Sequence, residues 1–144
     1  MAHESRDEHT AAHEAAHVVV GVALGLRVRR AHVGELVEPG GRTTLGHVVW
    51  DGRHGARVAW AIMFAAGVAW EQALRHPPAG AAWDRRACVE LVGVAGLAPC
   101  VRSAAALLAA LGAEHRRVAA ALLERDLSGA DLVALARGEG LEGE

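Results

Sequence analysis

Thr10 to Leu26 reads TAAHEAAHVVVGVALGL, an apolar helical run with His13-Glu14-Ala15-Ala16-His17 set inside it. This is the H-E-x-x-H spacing, in which two histidines hold a metal and the glutamate works as a base. Residues four apart on an α-helix lie one above the other on the same face, so the imidazoles of His13 and His17 can grip one ion. Glu14, one step round the helix, can reach a water held on that ion. Three polar side chains buried among alanine and valine without partners would each cost about 1–3 kcal/mol or more. A bound Zn²⁺ removes the difficulty.

Outward from this helix, the composition is that of one folded unit. The chain has 144 residues, 52% of them hydrophobic, enough for a sizeable core in a single domain spanning 1–144. Residues 1–9 and 138–144 are expected to be flexible ends, with the helix starting at a Thr10 cap and ending near Leu24 or Leu26. The net charge of −2, with arginine and acidic residues interspersed, leaves no sustained basic face for nucleic acid. Arg27, Arg29 and Arg30 are expected on one solvated side of a strand. Cys88 and Cys100 are the only cysteines. Two that are not in a C-x-x-C pair suit small core residues in a reducing cytoplasm. The charged N-terminus, MAHESRDEHT, has no apolar segment of the secretory kind. The longest apolar run, Val58 to Trp70, is 13 residues, short of the roughly 18–20 that a membrane span needs.

The rest of the chain predicts a mainly α fold with one small sheet after the metal helix. Val28 to Val33 alternates, Glu38-Pro39-Gly40-Gly41 signals a turn, Thr43 to Trp50 reads as a second strand, and Asp51-Gly52 closes the hairpin. A second helix over about His54 to His76 follows from the spacing of Trp60, Met63, Phe64, Gly67, Glu71 and Leu74. Its small residues would let the metal helix approach, and Pro77-Pro78 ends it. A third helix is expected from Asp84 toward Gly93 or Gly96, with a break at Pro99. One or two helices should then flank Gly112, and a last short helix should open at Ser128-Gly129-Ala130-Asp131.

A catalytic zinc takes three protein ligands and keeps one position open, so His13 and His17 need a third partner. Glu71 would be a partly buried carboxylate on the second helix, able either to ligate or to orient a histidine. Asp84 could ligate or simply cap its helix. Asp51 is explained by its Asp-Gly turn.

At these landmarks the chain resembles the peptidase domain of the FtsH-type ATP-dependent zinc proteases. HEAAHVVVGVALGL is similar to the family's metal helix, with Ala16 where glycine is usual, and Leu45-Gly46 falls in its second strand. Ala66-Gly67-Val68-Ala69-Trp70-Glu71-Gln72 is similar to the family's A-G-R-x-A-E-E, without its arginine and second glutamate, and Gly80-Ala81-Ala82-Trp83-Asp84 to its G-A-S-x-D. The likeness runs in order over residues 10–90, and ALLERDLSGADLVAL is similar to the closing helices. It implies Asp84 rather than Glu71 as third ligand; because ligand histidines usually donate their other ring N–H to an acceptor, Glu71 is the candidate for that supporting role. It also implies amide hydrolysis in which Glu14 takes the proton of a zinc-activated water. The chain departs from the family in having no ATPase module or membrane segment and in its shorter peptidase region.

The expected function is a zinc-dependent metalloendopeptidase, cytoplasmic and independent of ATP, acting on flexible or unfolded protein. A separate ATPase or a homo-oligomer is its expected partner. The alternatives are a binding or regulatory module that keeps the peptidase fold, and a structural helical domain carrying the motif by chance. With no tyrosine or lysine in the chain, transition-state charge would fall on the zinc, an arginine, or a histidine such as His32, His47 or His54.

Overall fold

The structure is a computed structural model that describes residues 2–37, 39–41, 43–52, 54–74 and 81–139. Helix α1 spans Ala2–Ala23, followed by strands β1 (Val28–Val37) and β2 (Thr43–Trp50). Helices α2 (Arg57–Ala73), α3 (Ala81–Val92), α4 (Val94–Ala110) and α5 (Gly112–Glu124) come next, then a two-residue strand β3 (Leu127–Ser128) and α6 (Gly129–Ala136). The fold is mainly helical with one small antiparallel sheet, as expected.

Helix α1 is the centre of the molecule because its stretch from Val18 to Val22 is apolar and buried on every side, with no solvent face. Ala11, Ala15, Ala16 and Val18, Val19 and Val20 are all buried. They pack against Ala61, Ala65 and Ala66 of α2, Cys100 and Ala104 of α4, Val118 and Leu122 of α5 and Leu132 of α6 in one continuous core. Alanine at so many contacts lets backbones approach closely, and each valine buried there stabilises by about 1.5–3 kcal/mol relative to exposure. Both cysteines lie in this core.

In the sheet the strand order is β2-β1-β3. Ala31 pairs with Val48 on one side and Leu127 on the other, and these three turn inward to the core. Because side chains alternate across a strand, the next ladder pair, His32 and His47, leaves the opposite face. A register shift between Val28 and Arg30 explains why Arg29 and Arg30 are both exposed.

Four local expectations are corrected. The first helix starts at Ala2, so Thr10 lies within it and is not its first residue. His9 tethers this early turn, reaching Glu71 at 2.9 Å and setting its ring edge-on to Trp70. The third helix begins at Ala81, which puts Asp84 in its first turn instead of at its cap. Pro99 lies inside α4. The single bond a proline forfeits there is to Ala95, an exposed residue near the helix start. Finally, the short strand β3 was not anticipated, although Ser128 does cap α6, accepting from the Asp131 N–H at 3.3 Å. Pro77, Pro78 and Gly80 lie outside the described residues, as do Glu38 and the tail from 140 onward.

Candidate metal centre

His13 and His17 stand one helical turn apart on α1, both buried, with their Nε2 atoms 3.3 Å from each other. Each ring's other nitrogen is held by α2. His13 Nδ1–H donates to Glu71 Oε1 at 2.9 Å, and His17 Nδ1–H donates to the Met63 carbonyl at 2.8 Å. A neutral imidazole that donates from Nδ1 keeps its lone pair on Nε2, the form a metal requires. Both Nε2 atoms therefore aim at one point.

Asp84 comes to that point from α3. Its Oδ2 lies 2.8 Å from His13 Nε2 and 3.2 Å from His17 Nε2. Among the described residues, His13, His17 and Asp84 form the group of three side chains that could hold a metal ion, with ligand atoms all within 4.8 Å of one another. Imidazole and carboxylate donors suit zinc and its neighbours among the transition metals.

The floor of the centre is backbone. A Cβ at Gly67 of α2 would fall 2.2 Å from Asp84 Oδ2 and 2.9 Å from His13 Nε2, so only glycine leaves the space in which an ion would sit. This role exceeds the helix-approach function expected of Gly67.

Charge is concentrated in a dry setting. Burial alone pushes His17 down, but the Asp84 carboxylate, by charge and hydrogen bond, together with Glu14, outweighs it and raises its pKa to about 9. Burial pushes Asp84 up, yet His17 and His13 beside it hold the carboxyl well below the ordinary range. Glu14 is shifted upward, because burial outweighs the opposing pull of His17 and His13.

Glu14, His17 and Asp84 open onto a cavity of about 270 Å³ whose other walls include Val48, Trp50, Met63, Phe64 and Trp83. It is polar at the metal end and apolar beyond, the usual mix for a site that binds an organic ligand. Strand β2 closes one side so tightly that a Cβ at Gly46 would fall 3.1 Å from Glu14 Cγ.

The structure brings His13, His17 and Asp84 together, and Glu14 lines the same cavity. Glu71 stands behind His13 and also accepts from His9. Asp51 lies elsewhere, its backbone closing the hairpin onto Arg27. Of the three histidines weighed for charge stabilisation, His47 borders the cavity. His54 is instead spent on Arg27 N–H and the Asp51 carbonyl, and His32 pairs with Asp126. His9 went unread, although 9, 13 and 17 continue one four-residue spacing. The Met63 carbonyl is backbone and had no signal to find.

The fold and this geometry define a helical domain with a buried two-histidine, one-aspartate group able to hold a metal ion. No protein-family model matches the chain, and no curated protein matches it. No single helix among the described residues is long and apolar enough to cross a membrane.

Proposed function

We propose that the protein is a zinc-dependent metalloendopeptidase, related in design to the FtsH-type peptidase domain, that hydrolyses peptide bonds in flexible or unfolded protein. The observation that carries this is the convergence of His13 Nε2, His17 Nε2 and Asp84 Oδ2 beside Glu14 at the polar end of an open cavity. A structural zinc is usually enclosed by four protein ligands, whereas three ligands and a cavity leave a position for substrate or water.

Held by His13, His17 and Asp84, a zinc ion would supply Lewis acidity toward a water and a scissile carbonyl. The chain's own residues do the rest. Glu14 is the general base, and the burial that raises its pKa brings it closer to the working pH, where proton acceptance and return to the leaving amine are both efficient. Glu71 and the Met63 carbonyl hold the remote nitrogens of the two rings, which orients both Nε2 atoms toward the ion. The apolar cavity walls would seat a substrate side chain and exclude water. Delivery of folded substrates falls to a separate ATPase or to a homo-oligomer.

The test is zinc content of the purified protein together with cleavage of unfolded casein, wild type beside Glu14→Gln. One zinc per chain and cleavage only by the wild type is the expected result. Zinc in both with cleavage by neither would turn the reading toward a binding module, and no zinc uptake at all would end it.

A further inference from the structure

The sheet carries a second pair of histidines, His32 and His47, to which the reaction proposed above assigns no role, although His47 borders the same cavity. His32 and His47 are direct partners across the β1–β2 ladder, so their side chains leave the sheet side by side. Their ring centroids are 5.5 Å apart, against 5.0 Å for His13 and His17. His32 Nδ1–H donates to Asp126 Oδ1 at 2.6 Å, which leaves the lone pair of the neutral ring on Nε2.

That Nε2 and His47 Nδ1 are both buried with no hydrogen-bond partner. Buried polar atoms are almost always satisfied, so two orphans on adjacent rings are a feature that needs an explanation. A carboxylate on the remote nitrogen is also the partner that a metal-bound imidazole characteristically has. At Gly34, a Cβ would stand 3.3 Å from His32 Nε2, a place beside that nitrogen that glycine leaves empty.

We propose that His32 Nε2 and His47 Nδ1 hold a divalent transition-metal ion of the imidazole-preferring class, Zn²⁺, Ni²⁺ or Cu²⁺, with Asp126 fixing the His32 ring and water completing the coordination. Mg²⁺ and Ca²⁺, which take oxygen ligands, do not fit two imidazoles. With two protein donors against the three of the helical group, this is the weaker of the two sites.

The experiment is calorimetric titration of the chelator-treated full chain with ZnCl₂, wild type beside His32→Ala/His47→Ala, with circular dichroism as the check on folding. Two equivalents are expected for the wild type, one tight and one weaker, and loss of the weaker alone in the double variant. Asp126→Asn, at a side chain that is 69% exposed, keeps the fold and is expected to weaken the second equivalent by about 10–100-fold. MgCl₂ should give no binding. A wild type that takes up one equivalent, or a weaker equivalent that survives in the double variant, overturns the proposal. Loss of the tight equivalent with the weaker one intact supports it and removes the peptidase reading instead.

Discussion

The molecule holds two histidine pairs, and they were assembled by different means. His13 and His17 are successive turns of one helix, so any α-helix carrying that spacing brings them together. His32 and His47 are 15 positions apart, meeting only because the ladder register pairs them. The helical pair is buried, has both Nδ1–H groups held by α2, and receives a carboxylate from α3. The ladder pair has a single fixing partner, Asp126, which sits mostly in solvent. The contrast teaches that spacing places two ligands cheaply, while a third donor and a base require other elements to pack around them.

The largest effect should come from removing the base that stands beside the helical pair. Glu14→Gln is expected to retain one tight zinc while casein cleavage falls by about 10²–10⁴-fold, the range general-base catalysis supplies. Equal rates for variant and wild type would strip Glu14 of that role. Next comes the floor. Gly67→Ala places a methyl where the ion would sit, and the tight equivalent should disappear from a zinc titration although the helix propensity of alanine favours the fold. If Gly67→Ala binds as tightly as the wild type, the ion does not lie between His13 and Asp84.

The two carboxylates allow a finer cut. Asp84→Ala deletes a ligand and should reduce the helical pair to the two-donor condition of the ladder pair, measurable as similar zinc affinities. Glu71→Ala leaves all three ligands in place and should cost about 10–100-fold. The reverse ranking, read by competition with a chromophoric chelator, would make Glu71 the ligand.

The smallest effect is in pH. In the metal-free protein His17 holds its proton up to about pH 9, so zinc must displace that proton at neutrality. Apparent affinity at the tight site should rise by up to about tenfold per pH unit toward 9 and then level off. The same shift has a stability signature. A folded pKa of about 9 against 6.5 for an ordinary histidine contributes stability that is whole below pH 6.5 and lost as pH climbs to 9. Thermal melts in chelator should therefore fall across that window, and saturating zinc should flatten the fall.

What the sequence determined alone was whatever depends on near neighbours. The helix bearing His13, Glu14 and His17, the β1–β2 hairpin, the alanine-rich α2 and the Ser128 cap all follow from local spacing and turn chemistry, and all are present. Local propensity was misleading where distant contacts intervene. Near the start of α1, His9 reaches Glu71, 62 residues away, and β3 is formed by pairing with β1, Leu127 opposite Ala31. Asp84 and Glu71 remained rivals until α3 and α2 were packed against α1, since a carboxylate on either could in principle turn toward two histidines. Tertiary structure separates them by distance, placing Asp84 at the Nε2 atoms and Glu71 at Nδ1. The role of Gly67 was hidden for the same reason. An absent Cβ matters only when a side chain from another element, here Asp84, comes within 2.2 Å of where it would have been.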